Sequence, residues 1–512
     1  MFLAFYHRTI SSAVIALSSR HHPEQIARTS TSLSLSPFTS LPFKRPASIC
    51  HMKSVSTSAL KHNMPSVSSR IQDTLDPCVV LMKDLIGKYA HAWDDRGGIF
   101  SLAQGVVYWK PPKQVTTALI QAIQDDEKKL ATSPQLHTYG PDEGLPLLRS
   151  AIQQKLAREN GLSNHDVMIT MGANQAYINC ILSLINQDQK VVVFAPYYFN
   201  HVMAIQMALP SEALVVGPCS DEGIPDLTWL QEKLEQDPSI QMVTIVNPGN
   251  PTGVTLSRQV LQKAVDLCRD HEAWLTLDCT YEYFVNPPKR DDNASYELGG
   301  CFPDPHVLHI FSFSKSYAMA GYRCGYITVS KDATTTMTTT AATTTTTNTS
   351  SDPTKTTSLF EQMLKVQDTI PIAPARIAQI AAMAAMQEET ISDSTNGGPT
   401  QSIGTPGQGK QWVMDRFHTL ETGRRAICDA LESTLDGPIM GGTGAMYVMA
   451  KLPVDDDRAF AELLVKDYGV AVIPGSFCGF PGWIRVCYSN LPPDRCLEAA
   501  ARLKKGLADL RR

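Results

Sequence analysis

The 512-residue chain has few of the features that direct a protein to a membrane, a nucleic acid or a metal. No apolar run approaches the roughly 18 uninterrupted residues of a spanning helix, so a soluble protein without a membrane partner is expected. Basic residues are not in excess. The formal net charge of -5 gives no electrostatic reason to expect nucleic acid or an acidic membrane as a partner. The 12 cysteines include no CxxC pair and no His/Cys ligand spacing, and several fall inside apolar segments. Free buried thiols are therefore expected, with neither a zinc site nor a disulfide framework. What is present is a hydrophobic fraction of 43% in a chain long enough for a large core, which is ordinary for a globular enzyme.

Acid residues are nearly absent from residues 1–70. There Glu24 stands alone against Arg8, Arg20, Arg28, Lys44, Arg45, Lys53, Lys61 and Arg70, among many serines. This composition reads as a transit peptide for a mitochondrion or plastid. The alternatives are an unprocessed tail, or starts at Met52 or Met64 that leave a cytoplasmic form. Two further stretches lack the apolar periodicity of packed elements. Residues 333–357 are dominated by threonine and are expected to form an exposed loop, and residues 389–409, rich in Gly, Ser, Thr and Pro, a flexible insertion.

The chemistry is concentrated where apolar segments end. The run SFSKSYAMAGYRCG from Ser312 to Gly325 places Lys315 and Arg323 eight residues apart, directly after the strand-like HVLHIFSF. Lys315 would then emerge at the carboxyl end of a buried strand, where open α/β sheets bind ligands. A lysine desolvated near other cations loses its proton readily and forms a Schiff base. Arg323, with the hydroxyls of Ser312 and Ser314, suits a phosphate. An aldehyde plus a phosphate indicates pyridoxal 5'-phosphate. The alternative is a surface lysine and a salt-bridged arginine.

Three more segments share that placement: NPGNPTG from Asn247 after MVTIV, Asp278 through Tyr281 after AWLTL, and MGANQA from Met171 after VMIT. Singly, each also reads as a turn, a helix cap or a connection. The third offers backbone N–H groups and a positive dipole end to an anion.

Together these segments resemble the class I and II aminotransferases, the fold type I enzymes that use pyridoxal phosphate, from about Ser101 to Leu503. The stretches SLAQGVVYW, YGPDEGLPLLR, GANQA, APYYFN, VNPGNPTG, YEYF and FSFSK are similar to plant aromatic aminotransferases acting on tryptophan, other aromatic amino acids and methionine. The resemblance implies that Lys315 carries the Schiff base and then moves the substrate's α-proton. Asp278 would pair with the pyridine nitrogen, while Tyr281 and Asn250 would donate to the cofactor's phenolic oxygen. Ala173, Asn174, Ser312, Ser314, Arg323 and a partner subunit's tyrosine at the position of Tyr139 would hold the phosphate, and Tyr198 would stack on the ring. Arg485 would take the substrate carboxylate. Gly105 would lie over the substrate, with Tyr108 and Trp109 lining the side-chain pocket. No arginine can be assigned to a second substrate carboxylate, which favours an aromatic or methionine-like donor over a dicarboxylate.

The implied architecture is α/β. A large cofactor-binding domain over residues 113–385 is expected to hold a mostly parallel seven-stranded sheet between helices. A small α/β domain would be built from residues 71–112 and 386–512, and the whole would be a homodimer. In TYGPDEGLPLLRSAI the alternative to a tyrosine that reaches the partner is a helix entry, with Pro141 near the start and Asp142 and Glu143 favoured by the dipole, and both can hold at once. A pyridoxal-phosphate lyase of the aminocyclopropane carboxylate synthase or carbon–sulfur lyase kind carries nearly the same cofactor residues. A non-catalytic cofactor-binding regulator is the more distant alternative.

Overall fold

The computed structural model describes residues 66–128, 136–286, 300–338, 354–387 and 408–510. Residues 1–65 of the proposed transit segment and most of the second insertion lie outside the described residues, and the segment's last two residues already belong to a short helix, Ser69–Asp73.

The strands, in chain order, are β1 (Phe100–Ser101), β2 (His165–Thr170), β3 (Lys190–Ala195), β4 (Leu214–Pro218), β5 (Ile240–Val246), β6 (Trp274–Asp278), β7 (Val307–Ser312) and β8 (Gly325–Ser330). They continue as β9 (Thr334–Thr338), β10 (Thr354–Ser358), β11 (Ile439–Gly441), β12 (Tyr447–Lys451), β13 (Val470–Ala471), β14 (Ile473–Pro474) and β15 (Trp483–Cys487). Seven of them form one sheet in the order β2-β8-β7-β6-β5-β3-β4. The contacts among β7, β6, β5, β3 and β4 are parallel, and β8 runs antiparallel to both of its neighbours. β2 therefore points the same way as the parallel strands. Their carboxyl ends share one edge of the sheet, as the continuous apolar runs imply.

Local sequence explains the connecting helices. Ser257 caps the helix Arg258–Asp270 by accepting the Val260 N–H, and the Asp226 carboxylate does the same for Leu227–Gln236. Ser358 and Glu361 form a reciprocal capping box that starts Leu359–Thr369. Pro371 and Pro374 fall in the break between that helix and Arg376–Met386.

A second, antiparallel sheet has the order β11-β12-β15-β14, with Arg485 of β15 opposite Met449 and Ile473. Short β1 pairs in parallel with β13, the Leu102 N–H donates to the Ala471 carbonyl, and the Cys487 N–H donates to the Leu102 carbonyl. These bonds draw the segment around Gly105 onto the C-terminal sheet.

Three expectations change. The helix after Tyr139 spans Pro146–Lys155 with Pro146 in its first turn, so Pro141 does not start it. Gly144 precedes it at φ 107, and a Cβ there would lie 2.2 Å from Ile169, so this sharp turn delays the helix. The ends of the threonine tract are not loop: β9 and β10 pair antiparallel, in line with the β propensity of threonine. A helix begins at Gln408, inside the stretch expected to be flexible. The described cysteines are free thiols, buried apart from half-buried Cys219 and Cys428.

His309 of β7 is buried, and its Nε2 accepts the Phe302 N–H at 3.1 Å. Burial pushes its pKa from the ordinary histidine range down to about 3, and neighbouring His165 adds to the effect. The native state thus holds His309 neutral where the unfolded chain, with a pKa near 6.5, takes a proton. Stability from this group is complete above about pH 6.5 and declines toward pH 3, by up to about 1.4 kcal/mol per pH unit. Denaturant midpoints measured from pH 7 to pH 5 should fall less steeply in His309→Gln than in the parent. Equal slopes would contradict the assignment.

Candidate active site

Lys315 lies in the one-turn helix Phe313–Ser316 at the end of β7. Ser312 caps that turn, its Oγ accepting the Ser314 N–H at 3.1 Å. The Lys315 Nζ donates to the Gly105 carbonyl at 2.6 Å, a contact between residues 210 positions apart. Burial pushes the Lys315 ammonium down to about 8, and the positive Arg323 and Arg485 assist against Cys487 and Asp278.

Asp278 ends β6 and is buried. Its Oδ1 accepts the Thr280 N–H at 3.0 Å, and its Oδ2 lies 3.2 Å from His201 Nε2. His201 in turn stacks on Tyr177 at 3.9 Å between ring centroids, and the Tyr177 hydroxyl is 2.9 Å from Thr244 Oγ1. The turn beyond Asp278 is pinned by a buried ion pair, Lys155 Nζ to Glu282 Oε2 at 2.5 Å, which Asn160 joins at 3.1 Å. Tyr281 on that turn is buried, with its hydroxyl 2.7 Å from the Tyr447 hydroxyl.

Arg485 enters from the second sheet and is also buried. Its Nη1 donates to Asn250 Oδ1 at 3.0 Å and its Nη2 to the Ala103 carbonyl at 2.6 Å. Its guanidinium carbon lies 4.5 Å from the centroid of the Tyr447 ring. The bond from Arg485 orients the Asn250 amide, leaving its Nδ2 to face elsewhere as a donor.

At the end of β2, Gly172 (φ 84) precedes the helix Ala173–Leu184. A Cβ at Gly172 would fall 2.5 Å from Arg323 Nη2, so the guanidinium is seated against this helix start. Arg323 itself adopts left-handed backbone (φ 55), with its Nη1 on the Ala320 carbonyl and its Nη2 on the Met171 carbonyl. Tyr198 follows β3, accepts from Asn200 Nδ2 at 2.9 Å and donates to Asn174 Oδ1 at 3.4 Å.

Lys315, Asp278, Tyr281, Asn250, Arg485, Gly105, Ser312, Ser314, Arg323, Ala173, Asn174 and Tyr198 are thus tied into one edge region by direct contacts or shared strand ends. Tyr108 and Trp109 flank it: the Tyr108 hydroxyl donates to Thr419 Oγ1 at 2.8 Å, and Trp109 packs edge-on against Phe284 at 6.4 Å. Tyr139 is not brought in. It is 77% exposed, and its carbonyl and that of Thr138 are held by Arg376.

The sequence profile of "Aminotransferase class I and II" matches residues 98–503. The chain belongs to this family. An aromatic aminotransferase of Arabidopsis thaliana, ISS1, is 37% identical over 414 residues, covering 80% of this chain and 90% of that protein. Among solved structures, an aspartate aminotransferase mutant of Thermus thermophilus has a TM-score of 0.67 at 21% identity, covering 86% of this chain and 100% of that one. An aromatic aminotransferase of Pyrococcus horikoshii has a TM-score of 0.63 at 22% identity, covering 84% and 99%. The protein is therefore a pyridoxal-phosphate-dependent aminotransferase of fold type I.

The residues of this aminotransferase fit that cofactor. Lys315 supplies a depressed-pKa amine, and the helix start at Gly172 with Arg323 forms an anion cradle that a side chain at Gly172 would fill. Buried Thr280 Oγ1 and Arg485 Nε have no hydrogen-bond partner among the described residues.

Sequence reasoning missed His201 and Tyr447. A histidine on the apolar helix Phe199–Ala208, three positions after Tyr198, was a readable signal. Tyr447 had none, since its site contacts lie far away in sequence.

Gly105 fits tightly: a Cβ there would fall 1.9 Å from the Tyr447 hydroxyl oxygen. Gly105→Ala should lower unfolding free energy by about 1–3 kcal/mol through overpacking. Tyr447→Phe in the same background should recover part of that loss in denaturant titrations, and strict additivity would contradict the contact.

Proposed function

We propose that this aminotransferase moves the amino group of an aromatic amino acid or methionine to a 2-oxo acid, using Lys315 as the cofactor-bearing and proton-moving residue. The observation that carries the donor class is the setting of Arg485: a single buried guanidinium with a tyrosine ring beneath it, in a region flanked by Tyr108, Trp109 and Phe284. The name of the Arabidopsis thaliana relative supports the same class.

When bound, pyridoxal phosphate supplies an aldehyde carbon for an amine and a ring that accepts electrons from the substrate's α-carbon. The rest of the chemistry belongs to the chain. With a pKa near 8, Lys315 is partly neutral at physiological pH, so it acts as a nucleophile and, once displaced, as the base that holds the α-proton. Asp278, held 3.2 Å from His201 Nε2, would oppose a positive charge on the ring nitrogen. Asn250 Nδ2 and the Tyr281 hydroxyl would donate to the phenolic oxygen. Ser312 Oγ already accepts from Ser314, so its proton is left for the phosphate, alongside the Ala173 and Asn174 N–H groups, the Ser314 hydroxyl and Arg323. Tyr198 would stack on the ring, Gly105 would cover the substrate, and Arg485 would grip its carboxylate.

The exposure of Tyr139, and of Leu147 at 74% eight positions on, supports a homodimer in which the tyrosine enters the partner's phosphate site. The β1–β13 pairing supports a small domain made of residues 71–112 and 386–512 beside the large one at 113–385. The basic, acid-poor composition of residues 1–70 supports import into a mitochondrion or plastid.

Adding single amino acids to the purified holoenzyme tests this reading. Tryptophan, phenylalanine and methionine should each convert the cofactor to its amine form, whereas release of ammonia or a sulfur product would indicate a lyase. By kcat/KM, these donors should exceed aspartate, whose second carboxylate would enter an apolar pocket unpaired at a cost of a few kcal/mol. Arg485→Lys should weaken all donors together, because an ammonium does not reproduce the fork. Trp109→Ala should penalise aromatic donors selectively. Aspartate preference in the parent enzyme would refute the pocket.

A further inference from the structure

Tyr447 touches three of the groups just given roles, yet nothing in the motifs points to it. Its hydroxyl is 2.7 Å from that of Tyr281, the Arg485 guanidinium lies 4.5 Å from its ring centroid, and Gly105 abuts its oxygen so closely that a Cβ there would overlap it at 1.9 Å. Strand register accounts for the meeting. Tyr447 of β12 lies opposite Cys487, and Met449 lies opposite Arg485, so Tyr447 and Arg485 are diagonal neighbours on one face of the sheet. Both tyrosines are buried, and burial pushes both phenols well above their ordinary range, so each keeps its proton.

Two neutral hydroxyls at this distance form one hydrogen bond with a direction. Either Tyr447 donates to Tyr281, or the reverse. The Arg485 charge over the Tyr447 ring draws electron density from it and makes Tyr447 the better donor. Gly105 leaves no room for a side chain beside the Tyr447 oxygen. We propose that Tyr447 is a positioning residue that donates to the Tyr281 oxygen, so that Tyr281 presents its own proton to the cofactor's phenolic oxygen. The inference rests on the reading of Tyr281 given above. A chain of two hydroxyls strengthens the terminal donor, because the accepted bond polarises the donated one. Arg485 takes part in both halves of the reaction site: it grips the carboxylate, and through the tyrosine ring it biases the hydroxyl pair.

The consequence is spectroscopic. A donor to the phenolic oxygen lets that oxygen keep its negative charge without the proton it shares with the lysine nitrogen. Weakening the donor makes that proton harder to remove, and the pH midpoint of the bound cofactor's visible absorbance rises.

The test is a pH titration of that absorbance in the parent holoenzyme and in Tyr281→Phe, Tyr447→Phe and the double variant, with KM for phenylalanine measured alongside. Tyr281→Phe should raise the midpoint by about one unit or more. Tyr447→Phe, which keeps the ring and its packing, should raise it by about half a unit, a threefold change in proton affinity, with KM changed less than about twofold. The double variant should match Tyr281→Phe alone. Tyr447→Leu, which removes the ring beneath Arg485, should in addition raise KM several-fold. An unmoved midpoint in Tyr447→Phe, or an additive shift in the double variant, overturns this proposal while Tyr281→Phe still upholds the site. An unmoved midpoint in Tyr281→Phe overturns both.

Discussion

The site is organised by the cost of keeping a charged ammonium at Lys315. Burial at the end of β7, with Arg323 and Arg485 close enough to repel a positive charge, leaves the amine bonded to the Gly105 carbonyl with a pKa near 8. An ordinary lysine at pH 7 is almost entirely protonated and neither attacks a carbonyl nor accepts a proton. Most of the surrounding structure serves this condition. The large sheet delivers Lys315, Asp278 and the helix start at Gly172 to one edge, and the second sheet delivers Arg485 to the same place.

Charge is balanced locally at that edge. Asp278 offsets the cations while His201 fixes the direction of its carboxylate, and the buried Lys155–Glu282 pair holds the turn between Asp278 and Tyr281 without adding net charge. A buried pair of this kind contributes little net stability, and its value here is geometric. Asn250 shows the same economy. By accepting from Arg485 it both steadies that guanidinium and turns its own donor away from it.

The fold and much of the candidate site were legible because Lys315, Asp278 and Gly172 each follow an apolar segment at a strand end, whereas Arg485 lies within β15. Lys315 after HVLHIFSF, Asp278 after AWLTL and Gly172 after VMIT all carry a local signature of apolar run, break and polar residue. Illegible features arise from contacts between distant segments. Tyr447 meets Tyr281 across 166 residues, and Lys315 meets Gly105 across 210, which no local pattern encodes. The helix start misplaced to Pro141 shows the opposite failure. Two prolines are available locally, and the positive-φ turn at Gly144 separates Pro141 from the helix that Pro146 starts. The threonine tract was read through its lack of apolar periodicity, whereas its ends follow backbone propensity into a paired ribbon.

The most direct measurement is the proton affinity of Lys315 itself in the cofactor-free protein. Competitive acetylation across a pH series, quantified at the Lys315 peptide by mass spectrometry, reads the neutral fraction of that one amine. A midpoint at about 8, rising when Arg485 is replaced by methionine, is the predicted result. A midpoint near the ordinary lysine value of about 10.4 would contradict the account, because the amine would then be solvated and charged rather than poised.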